Sequence, residues 1–207
     1  MSGAQVTQAP ANGPLELAID ISTLFSSART YNAFEERPVA PQLLHELYDH
    51  MKWGPTAANT CPARFVFVTS PEAKAWLGEC VNPGNVAKVA SAPVTVIVAG
   101  DSRYYDEMPK LFPARDYQSI FAGKDALNAD MLARNVPLQG AYLMIAARAL
   151  GLDCGPMSGF DAEKLDAAFF PDGRWRSNFI CALGYGREDS LFPRNPRLDF
   201  DEACQIV

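Results

Sequence analysis

The run from Pro93 to Ala99 constrains the fold more than any other part of this chain. It reads Pro-Val-Thr-Val-Ile-Val-Ala and is apolar at nearly every position. A strand with one face in water alternates apolar and polar residues, and this run does not, so we expect a strand that is covered on both faces. Because helical patterns surround only a few strands, the predicted class is α+β, with one sheet wrapped by helices.

Apolar spacing and turn signals place the other elements. Two further strands are predicted at 64–69 and 178–184, and helices at 15–28, from 41 to the stop at 54–55, at 71–79, 127–150 and 162–169. Pro137 should kink or split the longest helix, Gly151 should cap its end, and Asp161 should cap the next helix. A turn is expected at 82–85, a short helix and a loop at 104–124, and an extended C-terminal tail. Three strands make a thin sheet, which a tail from a partner chain would help to complete.

Length and composition bound the class of protein. The 207 residues suffice for one substantial core, so we expect a disordered tail at 1–14 and a single domain at 15–207. A net charge of −6 argues against non-specific nucleic-acid binding, which needs a basic face. No apolar run approaches the roughly 20 residues that span a bilayer, and the N-terminal stretch has no signal-peptide pattern. Five cysteines without a CxxC pair complete the prediction of a cytoplasmic protein with reduced thiols.

Familiar catalytic motifs are missing from the sequence. Two histidines leave little material for a His-based triad or metal site. The patterns GxSxG, HExxH, Walker A and GxGxxG do not occur. Four short segments remain as candidates for chemistry.

Two of these segments, near opposite ends of the chain, offer arginines for a phosphate. Arg29 stands beside Thr30, with Asn32 close behind, at the predicted end of the first helix. A guanidinium supplies paired donors and a threonine hydroxyl adds one more. A C-terminal arginine that complements the helix dipole is the plainer interpretation. In the tail, Arg187, Arg194 and Arg197 could clamp a phosphate, although solvated surface arginines are common.

The other two segments suit a flat, partly polar ring. Residues 55–62 are small and uncharged, and Asn59 offers both a donor and an acceptor. Residues 154–160 hold two glycines and a proline, which predict an unusual backbone path with a free N–H near the ring. Gly159 also lacks a Cβ that would block a ring. An ordinary loop and a tight turn are the respective alternatives.

The order of these segments resembles the nitroreductase family. That family shows an Arg-Ser-x-Arg-x-Phe start, a Pro-Ser-x-x-Asn-x-Gln-Pro loop, a Gly-x-x-x-Gly-Phe turn and a basic tail. The matching stretches here are 29–34, 55–62, 155–160 and the tail arginines, and the resemblance covers residues from about 20 to 204. Within the family, the stretches 51–56, 150–153, 155–161, 168–170 and 184–186 resemble the malonic semialdehyde reductases of bacterial pyrimidine utilisation.

The resemblance implies a mostly antiparallel sheet and an intertwined homodimer with two FMN sites at its interface. The residues 55–59 would reach the flavin from the partner subunit, and the backbone N–H of Ser158 would face the flavin N5. The implied cofactor-binding residues are Arg29, Thr30, Asn32, Pro55, Thr56, Ala57, Asn59, Asn85, Pro156, Met157, Ser158, Gly159, Arg194 and Arg197.

The implied reaction transfers a hydride from NADH or NADPH through FMN to malonic semialdehyde, giving 3-hydroxypropionate, with no protein nucleophile. A broad-specificity nitroreductase or quinone reductase is an alternative, and so is a non-catalytic flavin-binding dimer, since a fold does not fix a function. The sequence departs from the family pattern at Asn32, where a second arginine is expected, and at Cys61, where a glutamine is expected. Ser158 stands where many members have an acidic residue.

Overall fold

The computed structural model describes residues 20–207 and contains one antiparallel sheet. Its strands are β1 (Ala63–Val68), β2 (Val94–Asp101), β3 (Asp153–Met157) and β4 (Trp175–Gly184). The order across the sheet is β1-β2-β4-β3, and every neighbouring pair is antiparallel. All residues of β2 are buried, which confirms the strand that was predicted to be covered on both faces.

Helices cover the sheet on both sides. They are α1 (Ile21–Leu24), α2 (Pro41–Met51), α3 (Pro71–Cys80), α4 (Pro83–Ser91), α5 (Met108–Leu111), α6 (Tyr117–Phe121), α7 (Asp125–Ala149), α8 (Ala162–Phe169) and α9 (Phe200–Ala203). Short 3₁₀ turns occur at Ala57–Asn59, Tyr104–Glu107 and Glu188–Ser190. The α+β class is therefore confirmed.

Successive side chains of β2 enter two different cores. Ile97 and Ala99 pack in the core that α3, α4 and α8 cover, and Val96 and Val98 pack in the core that α2 and α7 cover. Because side chains alternate between the faces of a strand, both faces are apolar only when both are covered. This is the physical reason for the uninterrupted apolar run.

The segment between β2 and α7 has a small core of its own. Tyr104, Met108 and Phe121 are buried there together with Met131 of α7. Burial raises the pKa of Tyr104 to about 12, and its hydroxyl donates to Asn128 Oδ1 at 2.9 Å. The predicted short helix and loop are instead two short helices after a 3₁₀ turn.

Several predicted boundaries were wrong. The first helix was predicted over 15–28, but its described part is helical only from Ile21 to Leu24, and residues 1–19, including the predicted tail, lie outside the described range. The predicted turn at 82–85 is the start of α4, because Pro83 occupies its first helical position, where the missing N–H costs nothing. The tail is extended as predicted, until α9 begins at Phe200.

Two predictions about backbone breaks were also wrong. Pro137 does not split α7, which runs unbroken for 25 residues. Pro137 is exposed, whereas Val136 and Leu143 on the same helix are buried, so packing outweighs the lost backbone hydrogen bond. The segment Gly155-Pro156-Met157 is a fourth strand rather than a turn, and Pro156 is tolerated there because β3 lies at a sheet edge. Gly151, in contrast, ends α7 with a positive φ of 77°, as predicted.

Among residues 20–207, no helix has both the length and the apolar character needed to cross a membrane.

A buried carboxylate ties the end of β2 to its neighbours. Asp101 is fully buried and forms salt bridges with Arg64 of β1 at 2.7 Å and with Arg174, just before β4, at 2.8 Å. Burial alone would raise the pKa of Asp101, but hydrogen bonds from Arg174 and the Arg103 amide, with the two guanidinium charges, hold this pKa below its ordinary 3.8. The charged carboxylate is therefore stabilised by the fold.

We predict that Asp101→Asn lowers the free energy of unfolding at pH 7 by about 3 kcal/mol, because it leaves two arginines without their buried partner. The pKa of Asp101 is lowered by folding, so its contribution is complete above the unfolded pKa and is lost as the pH falls through the lower, folded value. As the pH falls below about 4, the free energy of unfolding should therefore decrease less in the variant than in the parent. Urea unfolding at pH 7 and in acid measures both effects.

The matched control is Asp49→Asn, which removes an exposed pair with Lys52. It should leave the urea midpoint unchanged. Equal midpoints for the Asp101 variant and the parent at pH 7 would contradict the role given to Asp101.

Candidate functional site

The first and fourth candidate segments meet in one cleft of about 640 Å³. Segment 28–32 and the tail form its walls, and the end of α7 contributes Arg148. The lining residues are Phe25, Ser26, Ala28, Arg29, Thr30, Asn32, Arg148, Phe192, Pro193, Arg194, Asn195 and Arg197. Among residues 20–207, four arginines and no carboxylate thus line the cleft.

These arginines are held by backbone carbonyls. Arg29 Nη2 donates to the Phe192 carbonyl, and Arg194 Nη2 donates to the carbonyls of Ser26 and Ala28, both at 2.9 Å. Within residues 20–207, none of the four cleft arginines forms a salt bridge with a carboxylate. Their charges therefore stay uncompensated in a protein of net charge −6. Such a donor set fits a dianionic phosphate.

The wall of the cleft runs directly onto the edge strand β3. Thr30 forms a parallel bridge with Cys154, and the Tyr31 N–H donates to the Cys154 carbonyl at 3.1 Å. A Cβ on Gly155 would lie 2.6 Å from the Tyr31 carbonyl oxygen. Gly155 is thus needed for the close approach of two backbones, and it joins the arginine cleft to β3.

The turn after β3 presents two free amides. The Gly159 carbonyl accepts from the Asn82 N–H and from Asn85 Nδ2, both at 2.9 Å, so the start of α4 fixes this turn. Among the described residues, the N–H groups of Ser158 and Gly159 donate to no acceptor. Ser158 is also exposed, so its N–H is available to a ligand.

The backbone path predicted around Gly159 was wrong. No residue from Gly155 to Gly159 has a positive φ, so the predicted unusual backbone path does not occur. A Cβ on Gly159 would instead lie 2.8 Å from Asn85 Nδ2 and 3.1 Å from Asn82 Nδ2. The glycine makes room for the two asparagines that hold the turn.

The second candidate segment, residues 55–62, has a strained backbone and lies outside the arginine cleft. Ala58, Asn59 and Cys61 have positive φ values of 50°, 52° and 39°. The Ala57 N–H donates to Asn135 Oδ1 of α7, and Asn59 Nδ2 donates to the Leu111 carbonyl, both at 2.8 Å.

This loop does not reach the arginine cleft of its own chain. Pro55, Thr56, Ala57 and Asn59 are absent from the cleft lining. The Pro55 carbonyl accepts from the Tyr142 hydroxyl of α7 at 2.9 Å, which holds the start of the loop against that helix.

A sequence model described as the nitroreductase family matches residues 26–185. The chain belongs to the nitroreductase family. A relative from Rhodopseudomonas palustris (strain TIE-1) is 59% identical over 187 residues, which is 90% of this chain and 95% of that protein. It carries the provisional name NADH dehydrogenase/NAD(P)H nitroreductase.

Solved structures share the fold at low identity. A Staphylococcus epidermidis protein with the provisional name NAD(P)H:FMN oxidoreductase superposes with a TM-score of 0.80 at 20% identity, over 91% of this chain and 96% of that chain. A protein of Exiguobacterium sibiricum, provisionally named a nitroreductase and crystallised with FMN, has a TM-score of 0.78 at 18% identity, over 92% and 98% of the two chains. These likenesses confirm the predicted nitroreductase-like fold.

Two cations near the site were missed by the sequence analysis. Lys88 of α4 is buried and packs on Gly155, with its Cδ 3.2 Å from where a Cβ would stand, and burial lowers the pKa of its ammonium. The helical spacing after Asn85 could have placed Lys88 toward the core, but a turn was predicted at 82–85 and no element was predicted for residues 86–92. Arg148 was not predicted as a site residue because the residue pattern of α7 was interpreted only as apolar packing.

Other chemistries find little support in the described part of the chain. Residues 20–207 contain no cluster of three or more His, Cys, Asp or Glu side chains that would suit a metal ion. Cys181 is fully buried, and the neighbouring Cys154 thiol together with burial raises the pKa of Cys181, so its thiol stays protonated and a poor nucleophile.

We predict that Gly155→Ala destabilises the protein by about 1–3 kcal/mol, because the new Cβ meets a backbone carbonyl that has no room to move. Thermal unfolding measures this change. Gly78→Ala in α3 is the matched control, since no heavy atom lies within 4 Å of its added Cβ. The control should be neutral or stabilising by about 0.5–1 kcal/mol. Similar melting temperatures for both variants would show that the Tyr31–Gly155 contact is not required.

Proposed function

We propose that this chain is an FMN-dependent oxidoreductase that passes a hydride from NADH or NADPH to a small acceptor. The observation that carries the proposal is the arginine cleft, which has no carboxylate among its described lining residues. A backbone bridge joins it to a turn with two amides that have no acceptor in the described part of the chain. One end suits a phosphate, and the other suits an electron-rich ring atom.

The two ends are separated by a length of strand that suits one elongated cofactor. Thr30 at the cleft is bridged to Cys154, and Ser158 lies four residues farther along. At a rise of about 3.3 Å per residue, this separation is roughly 13 Å. Arg29, Thr30, Arg194 and Arg197 would hold the phosphate. Pro156, Met157 and Gly159 would line the path to the ring.

When bound, FMN supplies the chemistry by accepting a hydride from NAD(P)H and giving it to the acceptor. The chain's own residues would orient the bound cofactor and polarise its ring. The N–H groups of Ser158 and Gly159 are preorganised donors, because Asn82 and Asn85 fix the turn that carries them. Lys88 packs against Gly155 and, in its charged form, would favour a reduced, anionic ring.

The amide of Asn32, one of the cofactor contacts that the resemblance implies, is engaged within the protein. Its Nδ2 donates to the Ser190 carbonyl at 3.1 Å. It lines the cleft without bringing a charge, so we assign it to the shape of the pocket and not to phosphate binding.

We further propose a homodimer in which the partner's loop completes each site. In support, Pro55, Thr56, Ala57 and Asn59 do not line the cleft of their own chain. The tail also leaves large apolar side chains exposed, namely Phe192, Leu198, Phe200 and Ile206. Exposed apolar surface of this kind marks interfaces. The cytoplasm suits the protein, since its five cysteines are unpaired.

The acceptor remains a choice between two proposals. Malonic semialdehyde is favoured by the sequence stretches that resemble the reductases of pyrimidine utilisation. A nitroaromatic or quinone is favoured by the name of the 59% identical relative. Steady turnover with either acceptor excludes a flavin-binding dimer without catalysis.

We expect the purified protein to show a flavin absorbance spectrum and to oxidise NADH or NADPH faster with malonic semialdehyde than with a nitroaromatic or a quinone. Steady-state absorbance assays of NADH or NADPH oxidation with each acceptor measure this preference. Equal or better turnover of the nitroaromatic would remove malonic semialdehyde but keep the flavin. A colourless protein that takes up no added FMN would refute the whole proposal.

We expect Ser158→Ala to leave the rate of flavin reduction by NAD(P)H within about twofold of the parent, because the backbone N–H remains. Ser158→Pro removes that N–H and should slow reduction by about 10²-fold, the scale of one lost oxyanion-type donor. Anaerobic stopped-flow absorbance gives both rates, and bound flavin per chain is the control for folding. Equal rates for the two variants would show that this amide does not contact the ring.

A further inference from the structure

Arg148 occupies an unusual place for a helix C-terminus. It lies in the last turn of α7, where any cation complements the helix dipole. Its Nη1 donates to the Leu24 carbonyl at 2.7 Å, which ties α1 to α7. A structural role would need no more than this. However, Arg148 also lines the cleft with Arg29, Arg194 and Arg197.

The guanidinium of Arg148 is incompletely used. Its Nε is buried and has no hydrogen-bond partner among the described residues, and Nη1 alone is engaged. A buried charged donor without an acceptor is costly. Nη2, unlike Nε, is not enclosed by the protein and has no partner among the described residues, so it can donate to a phosphate oxygen in the cleft.

Neighbouring carboxylates do not neutralise Arg148. Its charge helps to lower the pKa of Asp153, although burial raises that pKa overall, and the two side chains form no salt bridge. The Asp153 carboxylate accepts from the Gly186 N–H at 2.8 Å instead. The arginine therefore keeps a net positive charge that faces an anion site.

We propose that Arg148 binds the cofactor phosphate through Nη2 of its guanidinium. The inference rests on the proposed function, because it takes the cleft as the FMN phosphate site. Arg148 differs from the other three arginines in coming from a rigid helix. Arg29 and the tail arginines come from irregular segments, so Arg148 is the fixed reference against which the phosphate is positioned.

The test compares FMN with riboflavin, which has the same ring and ribityl chain but no phosphate. Flavin fluorescence titrations of the flavin-free full-length protein give both dissociation constants. Arg148→Met should weaken FMN binding by about ten- to a hundredfold, the value of a charge-assisted hydrogen bond, and leave riboflavin binding within about twofold. Arg148→Lys keeps the charge without the paired donors and should fall between parent and Arg148→Met.

Arg134→Met is the matched control, since Arg134 is exposed on the same helix. It should change neither affinity. Thermal unfolding of each flavin-free variant measures the loss of the Leu24 contact separately from flavin binding. If Arg148→Met folds poorly, Arg148→Lys serves as the test variant, because its ammonium can still donate to the Leu24 carbonyl.

Each result that contradicts a claim gives a different pattern of flavin affinities. If Arg148→Met weakens FMN and riboflavin equally, or leaves FMN binding unchanged, Arg148 has no phosphate contact and the inference is overturned. If the parent binds FMN no more tightly than riboflavin, the cleft is not the phosphate site and the inference also fails. If the parent binds neither flavin, the proposed function itself is wrong.

Discussion

The burial of β2 on both faces is the constraint on which the rest of the structure depends. A strand without a solvent face needs a helical layer on each side, and the two cores around Ile97 and Val98 are the result. It also needs hydrogen-bonding neighbours on both edges, which places β1 and β4 beside it and leaves β3 at the rim. Asp101 closes the end of β2, where a buried carboxylate is stable because two arginines from neighbouring elements meet it.

The position of β3 at the rim explains where a ligand site arises. An edge strand has unpaired backbone groups, and here segment 29–32 uses one of them by bridging to Cys154. That bridge brings Arg29 to the sheet without adding a full strand. The remaining edge stays open beyond Gly155, so the turn at Ser158 presents its amides. Gly155 leaves room for a backbone carbonyl, and Gly159 leaves room for two asparagine side chains.

Much of this arrangement could be predicted from local patterns, and the parts that could not depend on contacts distant in sequence. The strands at 64–69, 93–99 and 178–184 have continuous apolar or β-branched runs, so the expected positions differ from the observed ones by few residues. Strand β3 was interpreted as a turn because Gly and Pro are poor strand residues, and only its pairing with β4 makes it a strand. Asn82 and Asn85 likewise signal a turn locally, although Pro83 starts a helix there. The meeting of Arg29 with Arg194 could be expected from family resemblance, but nothing in the sequence around Arg148 indicates that it lines the same cleft.

The charge distribution would make the proposed phosphate cleft selective for anions. A chain of net charge −6 repels anions in general, so an anionic ligand approaches only where cations are grouped without carboxylates. The cleft satisfies this condition because its arginines are held by carbonyl oxygens, which orient a guanidinium without cancelling its charge. Carboxylate partners would have fixed the same side chains equally well, as they do for Arg64 and Arg174. The contrast between these two arginine clusters separates a structural use of arginine from the ligand-binding use proposed for the cleft. Carboxylates neutralise Arg64 and Arg174 inside the fold, and no described carboxylate pairs with the cleft arginines.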